Sequence, residues 1–248
     1  MITIKSAQQI EKMRASARIT RDALLLLEKH VKPGVTTAQL NKIAHDFILS
    51  KGAKPNFLNY GGFPASICTS VNDVVVHGIP EKGRVLKEGD IISIDMGAVL
   101  DGFHSDAART FPVGKISPEA QRLIDVTKES FFRGIEKLKH GAELGDVSFA
   151  IQSFVEDNGF SVVRDLVGHG IGRELHEDPS VPNFGKAGKG VKLAAGMTLA
   201  IEPMVNAGEY EDSVLVDVWT VVTDDGSLSA HYENTVLVTK DGYEILTL

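Results

Sequence analysis

The chain repeats itself once. LKEGDIISID, Leu86 to Asp95, returns as LAAGMTLAIE, Leu193 to Glu202: Leu, Gly and Ile recur in register, and each segment ends on an acid 107 positions from its counterpart. Gly34 in VKPGVTT and Gly141 in LKHGAEL stand the same 107 positions apart. A third pair, VVVHGIP and LVGHGIG, sets His77 against His169 at a spacing of 92, and the 15 missing positions fall into a longer loop between His169 and Gly196. Three matches in one order divide the 248 residues into two related halves, about 1–113 and 114–248, within a single domain.

Each half has one layout. A long helix comes first, about Ser6 to His30 and about Pro118 to Lys139, the second with Ser117 as N-cap and Pro118 at the first helical position. A turn at Gly34 or Gly141 leads to a second amphipathic helix, which in the first half carries the capping-box pair Thr36 and Gln39 and a stop at Gly52. A strand, an HGI loop and a strand ending on an acid follow. Helices then strands, rather than alternating units, predict an α+β class with mostly antiparallel sheet. Packing of the halves about a pseudo-two-fold axis would bring Asp95 and Glu202 together at the centre; two well-separated half-cores are the contrary outcome.

Composition excludes several partners. A net charge of −7 leaves no dominant basic surface, so nucleic-acid recognition is not expected. The single cysteine, Cys68, permits no internal disulfide and fits a reducing compartment. The segment MITIKSAQQIEKMRASARIT is polar and periodic, and the longest apolar run near it, Leu24 to Leu27, is far too short to span a bilayer. The expectation is a cytoplasmic protein without a membrane partner.

ISIDMGAVLDGFHSDAARTF, Ile92 to Phe111, reads as a buried hairpin turning at Asp101-Gly102, with an aspartate in each arm. The parity of such a turn places Asp95 and Asp106 on the same face as near or diagonal neighbours. Buried like charges demand a cation. For one isolated hairpin, an ion pair with Arg109 or a lysine is the simpler answer. Glu202 in MTLAIEPMV and Glu233 in HYENTVLV change that balance, because four acids at strand ends outnumber the cations nearby in sequence. A pair of divalent ions is the economical solution, and oxygen-rich ligands suit Mn, Fe, Co or Mg better than structural zinc.

GHGIGRELHEDP supplies imidazoles. His169 lies between Gly168 and Gly170, which let the ring approach a ligand closely, His176 follows seven positions later, and His77 occupies the matching loop of the first half. Capping of backbone is the plainer role for His77 or His176 taken alone, and His104 and His231 flank ligand candidates without a decisive sign. NFGKAGKGVK, Asn183 to Lys192, lacks the spacing of a phosphate loop and reads as solvated loop. YGGFPASIC, Tyr60 to Cys68, suits either a pocket wall or a packed loop, and Trp219 suits either pocket or core.

SIDMGAVLDGFHSD, GHGIGRELHEDP, LAIEPM and YENT, in this order and covering essentially the whole chain, closely resemble the type I methionine aminopeptidases of the pita-bread fold, in their short bacterial form without the zinc-binding extension or helical insertion of type II enzymes. The resemblance implies a single catalytic domain that removes the initiator methionine from nascent proteins and peptides when the second residue is small. It implies five metal ligands: Asp106 and Glu233 bridging two divalent ions, Asp95 chelating one, and His169 with Glu202 holding the other. Cobalt, manganese or iron are the implied metals, with nickel, zinc and an additional monovalent cation as further candidates. The implied nucleophile is hydroxide held between the ions, with Glu202 as proton shuttle, His176 stabilising the tetrahedral intermediate and His77 bonding the scissile amide region. Tyr60, Phe63, Cys68 and Trp219, beside His77, would line the methionine pocket, where a flexible thioether favours aromatic contact. A monomer, with the ribosome as a partner for nascent chains, completes the expectation. Asn234 departs from the pattern, which in many relatives has histidine after the glutamate, and Phe63 and His231 stand where relatives vary. The rivals are a proline-specific peptidase of the same fold, a creatinase-like amidinohydrolase, and a metal-free relative that binds peptides.

Overall fold

Ser6 starts the first helix by accepting a hydrogen bond from the Gln9 amide while the Gln9 side chain accepts from the Ser6 amide, and the helix α1 runs Ala7–Glu28. The Thr36–Gln39 box does the same for α2 (Thr37–Ser50), and Gly52, at φ 73°, turns the chain away after it. In the second half Ser117 caps α3 (Pro118–Ile135), and α4 (Leu144–Asp157) follows. The computed structural model describes all 248 residues, Met1 to Leu248. Helix α3 stops short of the expected Lys139, because the Lys137 and Leu138 amides turn to the carbonyls of Gly134 and Ile135 and draw Leu138 into the core.

The first half contributes strands β1 (Lys54–Pro55), β2 (Ile67–Val71), β3 (Val74–Val76), β4 (Ile91–Leu100) and β5 (Phe103–Pro112). The second contributes β6 (Ser161–Val162), β7 (Gly168–Gly170), β8 (Glu177–Val181), β9 (Thr198–Ile201), β10 (Met204–Asn206), β11 (Asp212–Val214), β12 (Val221–Thr223), β13 (Ser229–His231), β14 (Asn234–Val238) and β15 (Tyr243–Ile245). Every pairing is antiparallel. One sheet has the order β1-β4-β2 with β5 on β4, and another runs β15-β14-β9-β7-β8. Two three-stranded sheets, β13-β10-β6 and β11-β12-β3, complete the set, and the latter joins strands of both halves.

Three local readings change. The strand of the first half does not end at Asp95; β4 continues unbroken to Leu100. Its counterpart does break, because Pro203 has no N–H for the ladder, and Glu202 sits in the gap between β9 and β10. The HGI segments also differ: His77 is in a loop, whereas His169 lies inside β7 and the longer connection after it contains β8.

Helices α1 and α2 cover the first sheet with Ala23, Leu27, Leu40 and Ile48 against Ile92, Ile94 and Met96. Helices α3 and α4 cover the second with Phe131, Ile135, Val147 and Ile151 against Leu199, Ile201 and Val236. The half-cores are not separate bodies. A third cluster draws Met13, Phe57, Phe63 and Phe103 from one half and Ile171, Leu175 and Leu237 from the other. The two large sheets also meet edge to edge at the centre: Ala108 and Glu233 exchange backbone hydrogen bonds of 3.3 and 3.0 Å, and Thr235 Oγ1 bonds both the amide and the carbonyl of Asp106 at 2.9 Å. That seam is where the acids are.

Candidate metal centre

The hairpin register sets Asp95 opposite Ala108 and Gly97 opposite Asp106, so the two aspartates project from one face as diagonal neighbours. Gly97 is required there: a Cβ would stand 2.2 Å from the Ser105 carbonyl and 2.4 Å from Asn56 Nδ2, which itself donates to Ser105 at 3.0 Å. Across the seam, Glu233 immediately precedes β14 and Glu202 occupies the Pro203 gap. His169, opposite Ala200 of β9, reaches the same space. Its Nε2 lies 3.6 Å from Glu202 Oε1 and 4.0 Å from Asp106 Oδ2. Ligand atoms of Asp106, His169 and Glu233 all lie within 4.8 Å of one another. Asp95, Asp106, His169, Glu202 and Glu233 thus line one cavity of about 260 Å³.

No lysine or arginine nitrogen lies within 4.0 Å of any of these four carboxylates. Arg109 belongs to the opposite strand parity, facing Ile94 in the ladder. It donates to the carbonyls of Ala108 and Glu233 and to Asn234 Oδ1, and stacks 4.3 Å over the Tyr232 ring. The ion-pair alternative therefore fails. Asn234, turned away from the acids, accepts from Arg109 and from Thr247 Oγ1 at 3.0 Å.

Burial raises every carboxyl of the cluster: Asp95 is pushed up to about 7, and Asp106, Glu202 and Glu233 rise well above the carboxylate range, helped by their mutual repulsion. Burial drives His169 the other way, down to about 3, so its imidazole is neutral. Its Nδ1 contacts the Gly170 carbonyl at 2.8 Å, which assigns the proton to Nδ1 and turns a bare Nε2 lone pair toward the acids. Asp95 Oδ1, Asp106 Oδ1 and Glu233 Oε1 are buried without a hydrogen-bond partner. Orphaned carboxylate oxygens beside one neutral imidazole form an oxygen-rich donor set suited to divalent ions. Burial holds the Cys68 thiol well above its ordinary value.

The expected pocket residues surround this centre. Tyr60, Phe63, Cys68, His77, His176 and Trp219 all line the same cavity. Phe63 meets Trp219 edge-on at 5.3 Å, and Trp219 is a pocket residue rather than core. His77, at φ 59°, sits in the left-handed region with its ring 6.5 Å from Trp219. His176 meets the His169 ring edge-on at 4.2 Å and contacts the Tyr60 hydroxyl through Nδ1 at 2.6 Å. The loop before His176 is fastened by a buried pair: Lys5 Nζ meets Glu177 Oε2 at 2.5 Å, while Glu177 Oε1 accepts from the Arg173 and Glu174 amides.

Some residues escaped the sequence reading. Asn183, taken as the start of a solvated loop, is wholly buried and donates to the Glu202 carbonyl at 3.0 Å; the rest of that run, from Lys186 to Gly190, is exposed. Thr235, which clamps Asp106, looks like any strand threonine. Leu166, Val167 and Met204 also line the cavity, and nothing local marks them.

Residues 11–240 match metallopeptidase family M24. The chain is 60% identical over 248 residues to a methionine aminopeptidase of Clostridium acetobutylicum, spanning all of this chain and 99% of that protein. It superimposes on the crystal structure of a methionine aminopeptidase from Rickettsia prowazekii with TM-score 0.98 at 49% identity, covering both chains completely. The prolidase of Pyrococcus furiosus, at 22% identity and TM-score 0.79, shares the fold over 99% of this chain but only 65% of its own.

Proposed function

The chain belongs to metallopeptidase family M24 and, within it, to the methionine aminopeptidases, and on that footing we propose that it removes N-terminal methionine at a centre of two divalent ions held by Asp95, Asp106, His169, Glu202 and Glu233. Its fold is the pita-bread fold, and its substrates are peptides and nascent chains that begin with methionine. The observation that carries the site assignment is the cluster of four carboxylates, Asp106 and Glu233 buried and Asp95 and Glu202 half-buried, without a lysine or arginine partner. When bound, such ions supply a nucleophile from water at neutral pH and a Lewis acid for the developing negative charge.

The protein groups divide the remaining work. Glu202, ionised in the loaded centre, takes a proton from the attacking water and returns it to the leaving amine. His176 donates to the substrate carbonyl oxygen as it becomes tetrahedral. His77, fixed in its left-handed turn beside Trp219, bonds the scissile amide region. Phe63, Trp219 and Cys68 receive the unbranched thioether side chain. Cobalt, manganese and iron are the ions this oxygen-rich set accommodates, with a small residue favoured in the second substrate position.

The test is cleavage of Met-Ala-Ser by metal-stripped protein with cobalt, manganese or iron added back singly, beside Asp106→Ala. Activity should return with at least one ion, and the variant should lose about 100-fold or more, since a ligand matters at least as much as an outer-shell partner. Unchanged activity in Asp106→Ala removes the bridging role. Cleavage of Ala-Pro peptides but not of Met-Ala-Ser would identify a proline-specific peptidase instead.

A further inference from the structure

His231 ends β13 with its backbone fixed on two sides. It pairs with Met204 of β10, and Thr110 Oγ1 accepts from its amide at 2.8 Å and donates to its carbonyl at 2.9 Å. The residue is 1% exposed, and neither ring nitrogen has a hydrogen-bond partner within the protein. An unmet buried polar atom is costly, so a ring in this position calls for a partner. Nε2 faces two: it lies 3.9 Å from Glu202 Oε2 and 4.0 Å from Glu233 Oε2.

Both carboxylates lack a lysine or arginine partner, and Glu233 Oε1 is buried without a hydrogen-bond partner. The spacing of His231 resembles that of His169, yet the two rings differ in one respect. His169 Nδ1 has the Gly170 carbonyl as acceptor, which frees Nε2 to coordinate. Neither His231 nitrogen has an acceptor within hydrogen-bond distance, but Nε2 is the one that faces the carboxylates, at 3.9 and 4.0 Å. A proton on Nε2 would donate to them rather than leave the nitrogen free to ligate.

We propose that His231 is a positioning residue of the metal centre, a shared outer-sphere donor that holds Glu202 and Glu233 in ligating orientation from behind. The role rests on the reading of the five residues as a metal site. Outer-sphere partners of this kind typically change metal affinity by about 10- to 100-fold.

Calorimetric titration of the metal-free protein with Mn²⁺ and Co²⁺ tests it. His231→Leu removes the donor, and His231→Gln keeps one of similar reach. His231→Asn keeps one too short to span both carboxylates. His231→Leu should bind about 10- to 100-fold more weakly than wild type, His231→Gln should recover most of the loss, and His231→Asn should not. The visible spectrum of the cobalt-saturated protein should keep its bands in all three, because the inner sphere is unchanged. Metal-free melting temperatures separate loss of fold from loss of metal; should His231→Leu not fold, equal affinities of His231→Asn and His231→Gln overturn the proposal. Wild-type affinity in His231→Leu also overturns it, and shifted cobalt bands would make His231 an inner ligand and overturn the donor role. Absence of metal uptake by the wild-type protein would instead remove the centre itself.

Discussion

Tyr60 and His176 stand 116 positions apart, and the fold brings the Tyr60 hydroxyl to 2.6 Å from His176 Nδ1. Burial raises the pKa of the phenol and lowers that of the imidazole, so near neutrality Tyr60 keeps its proton and His176 is neutral. The hydroxyl then donates to Nδ1, which leaves the His176 proton on Nε2, available to a substrate oxygen. Tyr60→Phe removes that assignment without emptying the pocket. It should lower kcat on Met-Ala-Ser by about 10-fold or more with KM nearly unchanged; a rise in KM with normal kcat would reduce Tyr60 to a wall. The acids were legible at this scale because each interrupts or borders an apolar strand, where a charge has no local explanation. Asn183 and Thr235 were not, since each acts on a group in another element and carries no local signature, and His231 showed only that it flanks Glu233, not where its ring points.

At the scale of elements, the hairpin β4–β5 fixes the spacing of Asp95 and Asp106, and Gly97 is its tightest point. The Asn56 side chain and the Ser105 carbonyl occupy the volume a Cβ would need, and the nearer contact is with backbone, which cannot swing aside. Gly97→Ala must therefore displace β5 or the Asn56 side chain. Overpacking of this kind costs about 1–3 kcal/mol, equivalent in a protein of this size to a fall in melting temperature of about 3–10 °C. Metal affinity should fall as well, because Asp106 faces Gly97 in the ladder; wild-type melting and wild-type affinity together would show that the hairpin relaxes without moving its acids. Strand parity read from the Asp101-Gly102 turn was enough to place both aspartates on one face. The end of α3 and the strand around His169 were less legible, because they depend on Leu138 finding the core and on β8 supplying a ladder partner.

For the whole molecule, the repeat told most. It implied two halves about a central seam, and the seam between β5 and β14 gathers four carboxylates that the metal-free protein must hold in low dielectric. Asp95 is raised to about 7 and the other three are raised well beyond the carboxylate range, whereas in the unfolded chain such groups titrate near about 4. A carboxyl whose pKa is higher in the fold stays protonated where the unfolded chain has already ionised. Its stabilising contribution is full below about pH 4 and is lost as pH rises through the folded value. His169 and His231, both lowered to about 3, act in the opposite sense, but only below about pH 6.5, where the unfolded chain takes up protons that the fold refuses. Above that pH these imidazoles are neutral in both states, and of these six groups the carboxyls alone determine the slope. The metal-free protein should therefore melt lower at pH 8 than at pH 6.5, by a few degrees, since Asp95 alone contributes on the order of 1 kcal/mol across that interval. Divalent ions reverse the sign: they bind the ionised carboxylates and displace protons, so the stabilisation produced by a fixed Mn²⁺ concentration should grow from pH 6.5 to pH 8. Melting curves with chelator and with Mn²⁺ at the two pH values measure both slopes. A metal-free melting temperature that is flat or rising across the interval would mean that the seam does not hold its acids protonated, and a manganese-induced shift that shrinks with pH would mean that the ion is bound elsewhere.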